Sequence, residues 1–199
     1  MKNLREKPVL VFATHNLNKA EEVQQMIGEA YFIKTLVDIG CHEAIPETSD
    51  TLEGNARLKA MHVVKHYGVD CFADDTGLEV QLLNGRPGVR TARYASEHAN
   101  AEENITKLLA ELGETTDRQA QFRTSICLIR SGMVEQLDGT CKGRIAEQRS
   151  GAKGFGYDPI FIPEGESRTF AEMNSGEKNA ISHRGMAIRK MVKTLLASK

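Results

Sequence analysis

Residues 8 to 13 form a short, unbroken apolar run that leads straight into the polar stretch Thr14-His15-Asn16-Leu17-Asn18-Lys19. A run without polar alternation reads as a strand covered on both faces, the interior position of an α/β sheet. A helix follows to about Gly28, with Ala20, Val23 and Ile27 on one face and Gly28 as its C-cap. Tyr31 to Thr35 reads as a second strand. A strand, a tight polar turn and a helix in that order commit the chain to a layered α/β architecture.

The rest of the chain extends this pattern. Asp50 lies three residues before Glu53, a capping-box-like start for a helix bearing Leu52, Ala56, Ala60, Val63, Val64 and Tyr67 and ending at Gly68. Cys71 to Ala73 reads as a short buried strand ending at Asp74-Asp75, and Leu78 to Leu82 as another. Ala101 to Leu112 has helical spacing. From Gln119 to Arg130 apolar and polar residues alternate, and Ser131-Gly132 then marks a hairpin into a return strand at Met133. Part of the sheet is therefore antiparallel. Ile160 to Ile162 adds a short strand, and a last helix starts at Ser182 with Ala187, Ile188, Met191, Val192, Leu195 and Leu196 as its stripe. The expected fold class is α/β on a mixed sheet.

Composition narrows the function classes. In 199 residues, Lys and Arg number 26 and Asp and Glu 27, a formal charge of −1. General nucleic-acid binding needs a net basic footprint, so no nucleic-acid partner is expected. The four cysteines form no C-x-x-C pair and read as reduced packing thiols. The first apolar run is far shorter than the roughly 20 residues of a membrane helix and has no signal-peptide cleavage site after it. No membrane partner is expected, and the expected compartment is the cytoplasm.

Four constellations could carry chemistry. The Thr14-x-Asn16-x-x-Lys19 turn opens a helix, where free N–H groups and a Lys suit an anion, although an ordinary capped turn has the same look. Asp74-Asp75-Thr76-Gly77 follows a buried strand, and two adjacent carboxylates call for a cation such as Mg²⁺ unless the segment is a solvated turn. A phosphatase with a D-x-D nucleophile fits less well, because here the aspartates are adjacent. Gly151 to Pro159 surrounds Phe155 and Asp158 with glycines, a loop able to admit a planar ligand. Lys178, His183 and Arg184 gather at a helix start, where a bound polyanion would offset them unless all three are solvated. Gly85 to Gly88 and Arg90 to Tyr94 either line a site or connect elements. Glu43 and Glu47 precede the second helix and could reach a metal, or form a solvated acidic loop.

Singly these motifs are weak, but their order along one chain is specific. Together with Glu53-Gly54-Asn55-Ala56 and Glu172-Met173 through Asn179, they make residues 9 to 196 resemble the inosine triphosphate pyrophosphatase family. That resemblance implies one two-lobed domain over residues 1 to 199, on a long mixed sheet flanked by helices, with a nucleotide cleft between the lobes. It also implies a homodimer, Mg²⁺, and hydrolysis of the noncanonical purine nucleotides ITP, dITP and XTP to monophosphate and pyrophosphate. Carried over by position, Thr14, His15, Asn16, Leu17, Asn18 and Lys19 would grip the triphosphate. Asp75 would be general base and metal ligand, with Glu47 as the second carboxylate. Thr76 would touch substrate, and Phe155, Gly156, Tyr157, Asp158, Lys178, His183 and Arg184 would form the base and sugar pocket. His15 stands where the family often has Gly, and Thr76 where Ser is common. Two other readings stay open: a pyrophosphatase for modified pyrimidine or methylated nucleotides, and a nucleotide-binding module without turnover.

Overall fold

The computed structural model describes residues 7 to 98 and 100 to 197. Strand β1 (Val9–Phe12) leads into helix α1 (Leu17–Ile27), followed by strand β2 (Phe32–Lys34) and helix α2 (Leu52–Tyr67). Strand β3 (Cys71–Val80), the two-residue β4 (Pro87–Gly88) and helix α3 (Ala101–Leu112) come next. The long hairpin pair β5 (Gln119–Arg130) and β6 (Met133–Ile145) precedes β7 (Phe161–Pro163) and helices α4 (Ser175–Ile181) and α5 (His183–Ala197). The sheet order is β2-β1-β3-β5-β6-β7, with β4 beside β3. β1 pairs in parallel with both β2 and β3, whereas β3–β4 and β6–β7 are antiparallel. The mixed sheet read from the sequence is present.

The chain divides into two compact units. The first comprises residues 1 to 74, 125 to 137 and 188 to 199, and the second residues 75 to 124 and 138 to 187. In the first, α2 lays Ala56, Ala60 and Val63, all without solvent exposure, into a core with Val11, Ala13, Cys71, Cys127 and Ile129. The small residues let the helix backbone approach the strands closely. In the second, Phe122, Phe161, Phe170 and Tyr157 pack with Leu78, Ile105 and Leu108. All four cysteines are buried and free, as expected for packing thiols.

Several boundaries differ from the sequence reading. β3 does not stop at Asp74-Asp75: it runs unbroken to Val80 and ends in a 3₁₀ turn, Gln81–Leu83, where a second strand was expected. The reason is burial with partners. Asp74 is only 2% exposed and Asp75 8%, so neither has to turn out to water. Helix α2 is capped by Thr51, whose side chain accepts the Gly54 N–H at 3.1 Å, and not by Asp50. β5 alternates only to Thr124, after which both faces are covered through Ile129. Helix α4 had no counterpart in the sequence reading. Asn174 and Glu177 cap it reciprocally, the two-way exchange of a capping box. Ser182 caps α5 as expected, its hydroxyl accepting the Gly185 N–H at 3.1 Å. Leu196, assigned to the α5 stripe, is 51% exposed. Among the described residues no helix is long and apolar enough to cross a membrane.

Candidate active site

In the first unit the functional candidates sit where β1 hands over to α1. Asn16 caps α1, its side-chain oxygen accepting the Lys19 N–H at 3.1 Å, and the Thr14 hydroxyl accepts the Asn16 N–H at 3.1 Å. The turn is thus held by its own short polar side chains. Thr14 is buried, while His15, Asn16, Leu17 and Asn18 are exposed, so the N-terminal end of α1 is presented to solvent. The His15 ring bonds the Cys41 carbonyl at 3.0 Å, a contact a Gly there could not make. Lys19 was expected to face a phosphate. Its ammonium lies 2.7 Å from the Asp74 carboxylate.

That ion pair changes the reading of the two aspartates. Two adjacent carboxylates call for a cation to offset their charges. Lys19 supplies one for Asp74 from within the chain. Glu47 also has an internal partner: Lys59, on α2, reaches it at 2.5 Å. A carboxylate has about four lone-pair positions, so one ammonium does not exhaust Glu47 as a ligand. Lys59 escaped the sequence reading, although the signal was there. It stands three residues after Ala56 and four before Val63, inside the apolar stripe, where a Lys must be answered when buried.

In the second unit a charged cluster is assembled around Asp158. Its carboxylate accepts the Phe155 N–H at 2.8 Å and the Lys178 ammonium at 2.7 Å. Lys178, His183 and Arg184 are 5%, 4% and 3% exposed, so they are not solvated surface cations. Lys178 lies in the last turn of α4, where the helix dipole favours it, and not at a helix start as the sequence suggested. The compensation looked for in a polyanion is supplied to Lys178 by Asp158. The Lys178 ammonium sits 4.8 Å from the centroid of the Phe155 ring, and the Arg184 guanidinium carbon 5.6 Å from it. The two cations therefore fix an aromatic ring that remains partly exposed.

Other neighbours complete this half. Arg184 reaches the Thr76 hydroxyl at 3.4 Å, and Thr76 and Thr124 hydroxyls lie 2.7 Å apart. The His183 ring stacks on Phe122 at 4.5 Å, and β6 passes so close that a Cβ at Gly139 would collide with the His183 carbonyl oxygen. Thr124 and Phe122 were absent from the sequence-predicted site because in sequence they are ordinary strand residues. Gly154 needs to be glycine twice over: its φ is +76°, and a Cβ there would strike the Asp158 carboxylate. Tyr157 is buried, with its hydroxyl donating to the Thr91 carbonyl at 3.0 Å, and burial pushes its phenol well above the usual range. Of the Gly85–Tyr94 stretch, residues 87 and 88 connect by pairing with β3, and Arg90 pairs with Glu97. A polar cavity of about 770 Å³ in this unit is lined by Glu79, Gln121, Arg144 and Glu166 among others, and Gly85 from that stretch also lines it.

A model of the Ham1 family matches residues 10 to 194. The dITP/XTP pyrophosphatase of Flavobacterium psychrophilum is 55% identical over 92% of this chain and 96% of its own length. That of Bacillus subtilis is 43% identical over 94% of this chain and 96% of its own. Among solved structures, the Staphylococcus aureus Ham1 protein superposes with a TM-score of 0.87 at 38% identity, over 96% of this chain and all of that one. The Mycobacterium abscessus structure described as a nucleoside-triphosphatase and dITP/XTP pyrophosphatase gives a TM-score of 0.74 at 39% identity, covering 92% and 98%.

Proposed function

The chain belongs to the Ham1 family, and we propose from that membership that it is a hydrolase converting noncanonical purine nucleoside triphosphates, dITP, ITP and XTP, to the monophosphate and pyrophosphate. The observation that carries the reading is kinship over more than nine-tenths of the chain, at 92% and 94%, with proteins named dITP/XTP pyrophosphatase. The balance is NTP + H₂O → NMP + PPᵢ, with water attacking the α-phosphorus and pyrophosphate leaving.

The N-terminal end of α1, with the polar turn from Thr14 to Lys19, binds the triphosphate through backbone N–H groups and helix dipole. Asp75 orients the attacking water and accepts its proton. Its neighbour Asp74 holds the Lys19 ammonium in a fixed position. The oxygen donors of Asp75 and Glu47 suit a hard divalent cation, and Mg²⁺ held there would offset phosphate charge as the phosphoryl group transfers. The base is placed against the Phe155 ring, with Thr76, Lys178, His183 and Arg184 supplying polar contacts. Hypoxanthine and xanthine offer a keto oxygen and an N1–H, and a donor from Arg184 or His183 matches the former. Adenine presents the reverse pattern and leaves that donor unpaired, at about 1–3 kcal/mol per unmet group. Guanine shares the keto edge but carries a 2-amino group that needs its own acceptor.

We further propose that the enzyme works in the cytoplasm as a homodimer, with the nucleotide cleft formed by one two-lobed domain. Pyrophosphate release is to be measured with Mg²⁺ and ITP, dITP, XTP, GTP, ATP, dUTP and dTTP. Turnover confined to the first three supports the reading. Equal turnover of ATP and GTP removes the selectivity argument, and preference for the pyrimidines moves the enzyme to a different substrate class. Tight ITP binding without release would make the protein a binding module.

A further inference from the structure

The segment that follows β2 comes back against the middle of α2. It places Cys41, Glu43 and His62 so that one ligand atom from each lies within 4.8 Å of the others. We propose that Cys41, Glu43 and His62 form an accessory site for a borderline divalent transition metal of the Zn²⁺ class, separate from the Mg²⁺ of the reaction.

The donor chemistry is the first argument. A thiolate, an imidazole and a carboxylate are the mixed S/N/O set that Zn²⁺ takes, whereas Mg²⁺ takes oxygens. Geometry is the second. Zinc–ligand bonds of about 2.0–2.3 Å in a tetrahedron put neighbouring ligand atoms about 3.4–3.6 Å apart. His62 Nε2 and Glu43 Oε1 already lie 3.2 Å apart. Within the 4.8 Å spread of the set, the largest closure required is little more than about 1 Å, and His62 and Glu43, whose side chains both reach solvent, can supply it.

Positioning is the third argument. Cys41 is fully buried, and its backbone is tied on both sides: its N–H donates to Leu36 at 2.9 Å, and its carbonyl is bonded by the His15 ring. Cys41 and Glu43 are two residues apart. The ring of His66, one helical turn beyond His62, packs against the His62 ring at 4.4 Å between centroids, tilted by 37°, and limits its orientation. The Tyr67 hydroxyl donates to Glu43 at 3.4 Å, which holds the carboxylate over the same spot. Three protein ligands leave a fourth position for water. On binding, the Cys41 S–H bond breaks, the metal–sulfur bond forms, and the proton goes to solvent.

The test uses the intact protein, stripped with chelator and titrated with Co²⁺ in excess Mg²⁺, which keeps carboxylate sites occupied. The expected result is one equivalent of Co²⁺ bound with a thiolate-to-cobalt charge-transfer band, displaced by Zn²⁺. Glu43→Gln and His62→Gln, both at solvent-reaching positions, should each weaken Co²⁺ by at least about tenfold, since even outer-shell changes cost 10–100-fold. Cys41→Ser should abolish the band. Absence of the band in the native protein overturns the proposal, and so does its persistence at unchanged affinity in His62→Gln and Glu43→Gln. Because the readout is spectroscopic, a failure here leaves the nucleotide reaction untouched, and the reverse holds as well.

Discussion

Asp158 receives two donors on one carboxylate oxygen: the Lys178 ammonium at 2.7 Å and the Phe155 N–H at 2.8 Å. One buried acidic group thus ties α4 to the glycine-rich loop. It also sets the position of the only aromatic side chain in the sequence-predicted site that is partly exposed. Asp158 is 3% exposed and Lys178 5%, so neither charge has water to fall back on.

Removing one partner should therefore cost more than removing both. Asp158→Ala removes the carboxylate paired with a buried ammonium and is expected to destabilise the protein by about 3–5 kcal/mol. The double variant Asp158→Ala, Lys178→Met should recover a substantial part of that loss. Urea unfolding midpoints of the two variants and the parent measure the difference.

Asp75→Asn keeps the shape and hydrogen-bonding size of the side chain but removes its basicity. Pyrophosphate release from ITP should fall by about 10²–10⁴-fold, the usual contribution of a positioned base. The far-ultraviolet circular dichroism spectrum should not change. Retained turnover would take Asp75 out of its assigned role.

Gly139→Ala tests the close passage of β6 past the start of α5. The added methyl meets the His183 carbonyl oxygen and must push backbone, not a flexible side chain. A cost of about 1–3 kcal/mol is expected, as for other overpacked sites. If His183 reads the base, the KM for ITP should rise with it. Thermal unfolding and steady-state kinetics on one preparation separate the two effects.

Acid should weaken the fold through particular glutamates. The Glu43 carboxyl is held down to about 2 from its ordinary 4.5, mostly by a backbone hydrogen bond and by His62. Glu172 and Glu177 are also lowered, chiefly by the backbone N–H groups of Thr169 and Asn174 that they cap. A depressed folded-state value means the unfolded chain binds the proton more readily. The stabilisation is then complete above the ordinary value and disappears as pH falls through the folded one. Metal-free protein should lose melting temperature between about pH 4.5 and 2, and Glu43→Gln should lose less over that window. An unchanged slope in the variant would contradict the assignment.

Most of the fold was legible because its signals are local. The α3 bounds, the hairpin at Ser131-Gly132 and the strand 119 to 130 follow from spacing and turn chemistry alone. The misses share one cause. Asp74, Lys59, Lys178 and Asp158 are charged residues that local rules send to the surface, and each is buried because its partner arrives from another part of the chain. The continuation of β3 through Asp74 is hidden for the same reason, since its Lys19 partner comes from α1. Helix α4 is a milder case: Asn174 and Glu177 carry the capping pattern, but seven residues with little apolar content gave no stripe to follow it. The candidate site residues rest on the order of motifs along the chain. The pairings among them came only from the structure.

The unbroken course of β3 has a consequence for Asp74 and Asp75. Successive side chains in a strand point to opposite faces, so residues that are neighbours in sequence face away from each other in space. The pair is a two-sided device. The Asp74 carboxylate anchors Lys19 on one face, and strand parity sends Asp75 to the other. Inserting or deleting one residue ahead of them would exchange their faces without altering either side chain. In this strand, counting matters as much as composition.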